Sequence, residues 1–164
     1  MQNQTPAFHR HDHGACSRAA LQFAEAHCAA GGARLTPVRR RTLEILLEEH
    51  RAMGAYEVLE RLRQDGFGHQ PPVAYRALDF LVDQGLAHRV RRLNAFTACT
   101  HPQEAHAPAF LICEHCGNVA EMAGGAVFAA LDAAATQLGF AIRRTSIEAT
   151  GRCPNCAGEP SDAD

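Results

Sequence analysis

Two short cysteine pairs constrain this chain more than any other feature. Cys113-Glu114-His115-Cys116 and Cys153-Pro154-Asn155-Cys156 both read C-x2-C, with 36 residues between them. That spacing bends the backbone into a knuckle that offers two thiolates to one ion, and two knuckles complete a tetrahedral four-thiolate shell of the closed, structural zinc kind. The intervening residues suffice for a strand, a helix and a return strand whose ends meet. The ion would then clip together a unit of about 50 residues, too small to hold itself by its own core. A thioredoxin-like redox motif would need one such pair opening a helix after a strand. A zinc deaminase would need H-x-E and P-C-x-x-C, whereas Pro154 follows its cysteine and His101 is followed by Pro-Gln-Glu. Cys113, Cys116, Cys153 and Cys156 are therefore expected to hold a structural zinc.

The chain has 164 residues, 46% hydrophobic and 21% charged, which fits one globular domain or two small ones. No run approaches the roughly 18 apolar residues of a membrane span. The stretch Met1 to Ala15 is polar and His-rich, without the apolar segment of a secretory signal. A cytoplasmic location with no membrane partner is the expectation, and there the seven cysteines stay reduced. Net charge is −2, with 13 arginines against 11 acids in residues 1–108 and 3 against 7 beyond. So weak a bias is no electrostatic footprint, and any nucleic-acid interface must rest on local placement.

Along the chain, residues 1–14, with His9, His11 and His13, read as a disordered tail. Ala15 to Ala30 favours helix and stops at Gly31-Gly32. Leu35-Thr36-Pro37 reads as a second helix start, Thr36 capping and Pro37 opening the first turn. Leu43, Leu46 and Leu47 give that helix its buried face. Ala55 to Gln64 forms a third helix with Ala55, Val58, Leu59 and Leu62 inward. A fourth follows Pro71-Pro72 and ends at Gly85, a C′ glycine. It buries Ala74, Ala77, Leu78 and Leu81 and shows Tyr75, Arg76, Asp79 and Asp83 outward. Leu86 to Arg91 and Ala95 to Cys99 read as short strands around a turn at Arg92-Leu93-Asn94.

Three helices and a basic hairpin, over residues 15–99, have the order of a winged helix-turn-helix. Its last helix would enter a major groove, and Arg89, Arg91 and Arg92 on the wing would meet phosphates. Residues 100–108 form a hinge loop. Residues 109–157 read as a small α+β unit: strands at Phe110–Cys113 and Asn118–Met122, a helix marked by Val127, Leu131, Ala135 and Leu138, and a closing strand from Phe140 to Ala149. Residues 158–164 read as a second disordered tail. The overall class is α+β.

A second ligand set is possible. His88 at the start of the wing, Cys99 at its end, His106 in the hinge and Glu121 after the first knuckle supply two imidazoles, a thiolate and a carboxylate. Their two negative charges would neutralise Zn2+, and the thiolate favours zinc over iron(II) or manganese. Each also fits an ordinary role: wing surface, buried strand thiol, solvated loop and exposed strand charge. Spacing alone leaves both readings open. Cys16 and Cys28 read as helix-packing thiols.

The run Arg34-Leu35-Thr36-Pro37-Val38-Arg39, then Tyr75-Arg76-Ala77-Leu78-Asp79-Phe80-Leu81, then the two knuckles, resembles the ferric uptake regulator family and within it the zinc uptake regulator branch. The resemblance spans residues 15–157. It implies a winged domain that binds double-stranded operator DNA, and a C-terminal domain that makes a homodimer. It further implies two zincs per chain, one structural on the four knuckle cysteines and one regulatory on His88, Cys99, His106 and Glu121. His101 lies in the same loop. The resemblance puts Tyr75 and Arg76 on the reading helix, with Tyr56 at the start of the preceding one. Arg suits bidentate reading of guanine, and an aromatic packs on a thymine methyl. No enzymatic activity and no small-molecule substrate beyond the metal ion are implied.

The chain departs from the family in reading Pro71-Pro72-Val73-Ala74 where relatives carry Thr before the Val-Tyr-Arg run. It also lacks the H-H-D-H run of iron and peroxide sensors, reading Thr100-His101-Pro102-Gln103-Glu104-Ala105-His106 instead. The function expected is a zinc-responsive repressor of zinc-uptake genes, the alternative being a family sensor of iron, manganese or peroxide.

Overall fold

A computed structural model describes residues 13–103 and 106–157; the expected tails at 1–12 and 158–164 lie outside them. The order is α1 (His13–Ala30), α2 (Pro37–Glu48), α3 (Ala55–Gln64), α4 (Pro71–Asp83), β1 (Ala87–Val90), β2 (Ala95–Ala98), β3 (Pro108–Cys113), β4 (Val119–Ala123), α5 (Gly125–Gln137) and β5 (Ile147–Gly151). Helix α1 thus begins two residues inside the expected tail, and β3 takes Pro108 from the expected hinge.

Helices α2 to α4 largely bury the faces that their apolar spacing marks: Leu43 and Leu46, with Leu47 only partly buried and Ile45 taking the core place beside them, then Ala55, Val58, Leu59 and Leu62, then Ala74, Ala77, Leu78 and Leu81. Cys28 packs into the same core from α1, whereas Cys16 is exposed, so only Cys28 is a packing thiol. Thr36 has the extended backbone of a cap, but its hydroxyl makes no cap hydrogen bond; Pro37, with its fixed φ, opens α2. Helix α4 likewise starts on two prolines, which remove N–H groups that would otherwise want a cap. It stops at Gly85 (φ +68), where Leu86 N–H donates to Leu81 carbonyl at 2.8 Å, a closure that needs a left-handed residue.

The wing pairs β1 with β2 antiparallel, and its turn spans Arg91 to Asn94, one residue earlier than expected. The second sheet has the order β4-β3-β5, with β3 antiparallel to β4 and parallel to β5. The two halves of the molecule meet over this sheet. Val90 of the wing and Ala52 pack on Phe110, Ile112 and Val119, while Val119 N–H donates to His50 carbonyl at 2.8 Å. Met53 pairs with Phe96, so the α2–α3 connection bridges wing and second sheet.

The closing strand begins at Ile147, not Phe140. Register decides this. Gly151 lies opposite Cys113, so the second knuckle emerges beside the first, and a strand ending at Ala149 would stop short. Phe140 and Ile142 instead line a groove with Leu131, Ala135 and Leu138 of the α5 region. Of the apolar residues that mark α5, Val127, Leu131 and Leu138 are exposed and Ala135 is buried. On a single chain this is an uncovered apolar surface.

Candidate metal centres and nucleic-acid interface

The first knuckle is a tight turn in which Gly117, at φ +73, donates its N–H to Cys113 carbonyl at 3.0 Å. Glu114 N–H donates to Gly151 carbonyl at 2.9 Å, which ties this turn to the end of β5. The four sulfurs of Cys113, Cys116, Cys153 and Cys156 lie within 4.8 Å of one another. Cys116 Sγ and Cys153 Sγ are 3.8 Å apart, matching the edge of about 3.8 Å that a Zn–S tetrahedron requires. Burial raises the Cys113 thiol, but N–H groups of Cys116, Cys153 and His115 outweigh it and hold the group at about 6.

The second set also converges. His88 Nε2, Cys99 Sγ, His106 Nε2 and a Glu121 oxygen lie within 4.8 Å of one another, although they come from β1, the end of β2, the hinge and β4. Cys99 Sγ is 3.7 Å from His106 Nε2 and 3.9 Å from Glu121 Oε1, near the roughly 3.6 Å edge of a tetrahedron with one sulfur and one nitrogen ligand. His106 Nε2 contacts the same carboxylate oxygen. His88 Nε2 is buried and stands 3.0 Å from Oε1 without a well-aligned hydrogen bond. Protein interiors rarely leave such an atom without a partner, and a cation held by these four donors would supply one.

Electrostatics agree. Burial and the Glu121 charge push the Cys99 thiol up to about 12. Burial also raises Glu121, but His88, Thr100 N–H and His106 outweigh it and hold the carboxyl down to about 2. A divalent ion supplies the positive charge that a buried thiolate beside a carboxylate lacks. A cavity of about 260 Å³ between α1, the end of α2 and the hinge reaches Cys99 and Glu121. His101 is outside the cluster: it bonds Thr100 Oγ1 at 2.9 Å and its ring meets His106 edge-on.

Tyr56 and Tyr75, near the starts of α3 and α4, are exposed, and their rings are perpendicular with centroids 6.4 Å apart. Arg76 is exposed beside them, as are Arg91 and Arg92 in the wing turn. Arg89 folds back along the hairpin, donating to Asn94 Oδ1 at 2.7 Å above the Phe96 ring. Two participants carry no signal in the sequence. Thr100 donates to Glu121 Oε2 through its N–H (2.8 Å) and its hydroxyl (3.0 Å), and Glu148 reaches the wing turn. Both act across long separations, with no motif to mark them.

The sequence profile of the ferric uptake regulator family matches residues 30–150. The zinc uptake regulation protein of Escherichia coli (strain K12) is 39% identical over 137 residues, 83% of this chain and 80% of that protein. A solved zinc uptake regulator complexed with zinc and DNA superposes with a TM-score of 0.80 at 37% identity, over 85% of this chain and 94% of that one. Holo XcZur superposes with a TM-score of 0.77 at 36% identity (86% and 99% covered). Apo XcZur reaches only 0.51 at 37% identity (88% and 99% covered). Since identity is nearly the same, the contrast lies in the spatial arrangement, which in this chain is more similar to that of holo XcZur than to that of apo XcZur.

Proposed function

Because the chain belongs to the ferric uptake regulator family, we propose that it is a zinc-responsive transcriptional repressor. Its homodimer would bind palindromic operator DNA and silence zinc-uptake genes when zinc is plentiful. The observation that carries this reading is the convergence of His88, Cys99, His106 and Glu121 from both halves of the molecule. Donors on the wing, the hinge and β4 reach bonding range of one ion only when the halves sit as they do here. Zinc on this set is the signal the protein reads. The four knuckle cysteines would hold the resident zinc, whose chemistry is a permanent crosslink between the first and last strands of the sheet.

The exposed stripe of α5 and Phe140 supplies the apolar surface that a homodimer would cover. With the halves fixed, two α4 helices keep a set spacing and can match half-sites one or a few helical turns apart. Tyr75 and Arg76 on α4 and Tyr56 on α3 would face bases, and Arg89, Arg91 and Arg92 would meet phosphates. The role is regulatory and not enzymatic, and the reduced cysteines suit the cytoplasm.

Two substitutions test the separate roles of the metal sets. Cys99→Ser is expected to abolish zinc-dependent retardation of a duplex selected from a random pool by the wild-type protein, while the variant remains a folded dimer. Unchanged affinity would remove Cys99 from the switch. Cys113→Ser is expected to lower the melting temperature and dissociate the dimer; a normal melt would contradict the structural assignment.

A further inference from the structure

The tip of the wing is gripped from the other half of the molecule. Arg91 N–H donates to Glu148 Oε1 at 2.7 Å and Arg92 N–H to Oε2 at 2.8 Å. Successive amides in a turn form a small anion-binding concavity, and here one carboxylate fills it with both oxygens. Glu148 is the second residue of β5, in register with Phe110 of β3; Phe110 in turn is in register with Glu121 of β4. The two carboxylates therefore occupy one row across the sheet, on either side of Phe110. Strand β1 lies over that row. His88, inside β1, meets Glu121, while the residues just past its end meet Glu148, and Val90 between them packs in the cluster that holds Phe110.

We propose that Glu148 is a positioning residue for DNA binding: a metal-independent clasp that sets the angle of the wing and shares the work of holding the two halves together with the zinc set. The inference rests on the regulatory reading above. A hairpin held at one point can still pivot, whereas one held at His88 and at its tip cannot. By linkage, an interaction made only in the joined arrangement favours every ligand that prefers that arrangement. Losing the clasp then weakens zinc at the regulatory set as well as DNA, although Glu148 touches neither. An ordinary charge effect predicts the reverse for DNA, since removing a carboxylate beside the phosphate-facing wing strengthens binding.

The test uses full-length protein with both metal sets loaded, and the variants Glu148→Ala and Glu148→Gln. Regulatory-zinc affinity is read by competition with a chromophoric chelator, and DNA affinity on the selected duplex at limiting zinc. Two hydrogen bonds to a charged acceptor, partly open to water, set the scale at about tenfold for Glu148→Ala in both affinities. Glu148→Gln, which keeps one accepting oxygen, is expected to fall between. Hydrogen exchange at the Arg91 and Arg92 amides is expected to accelerate in Glu148→Gln and reports the clasp without the alanine variant. Unchanged zinc affinity, with DNA binding unchanged or tightened, overturns the clasp. Wild-type protein that binds the duplex equally with and without zinc would overturn the regulatory reading instead, and the zinc titration decides the clasp without DNA.

Discussion

At Glu121 the two carboxylate oxygens face different partners. Oε2 is held by the N–H and hydroxyl of Thr100, while Oε1 faces His88, His106 and Cys99. Fixing one oxygen aims the other, as outer partners of metal ligands do. Thr100→Val keeps the shape and the backbone bond but deletes the hydroxyl. It is expected to weaken regulatory-zinc binding about tenfold in a chelator competition, the low end for losing such a partner, with the four-cysteine set unaffected. The cysteine pairs were legible in the sequence because two thiolates at fixed spacing have few other uses. The mixed set was half legible, because each of its members has an ordinary role and only convergence distinguishes them. Thr100 and Glu148 were not legible at all: their partners lie 21 and at least 56 residues away.

Helix spacing translated directly into buried faces for α2 to α4, because those helices pack within one chain. For α5 the spacing marked the helix but not where its apolar stripe would face. Its apolar stripe is real, but within this chain it faces outward, with Leu138 and Phe140 left 84% and 66% exposed. An intrachain core and a subunit interface have the same periodicity, so sequence cannot tell them apart. The late start of β5 has a related cause, since Phe140 and Ile142 serve the α5 groove and not the sheet. Burial of a Phe side chain is worth about 2 kcal/mol, and a two-fold dimer loses it twice. Phe140→Ser is therefore expected to raise the dimer dissociation constant by roughly a hundredfold or more in sedimentation equilibrium, with helix content retained. An unchanged constant would place the dimer contact elsewhere.

Among the described residues, the two halves meet at the His88, Cys99, His106 and Glu121 set, at the Glu148 clasp, in the packing of Val90 and Ala52 on Phe110, Ile112 and Val119, and where His50 and Arg51 reach Val119 and Asn118. In the regulatory reading proposed above, the first would depend on an ion, which would make the joined arrangement conditional. This chain overlays holo XcZur far better than apo XcZur at nearly equal identity. If the ion and the operator both prefer this arrangement, each must strengthen the other equally. The measurement that tests this most directly is a closed cycle: DNA affinity with and without regulatory zinc, and regulatory-zinc affinity with and without the selected duplex, the four-cysteine set being loaded throughout. The two enhancement factors are expected to be equal and within the range of about five- to 150-fold usual for such coupling. Factors of one on both arms would show that metal and DNA bind this chain independently.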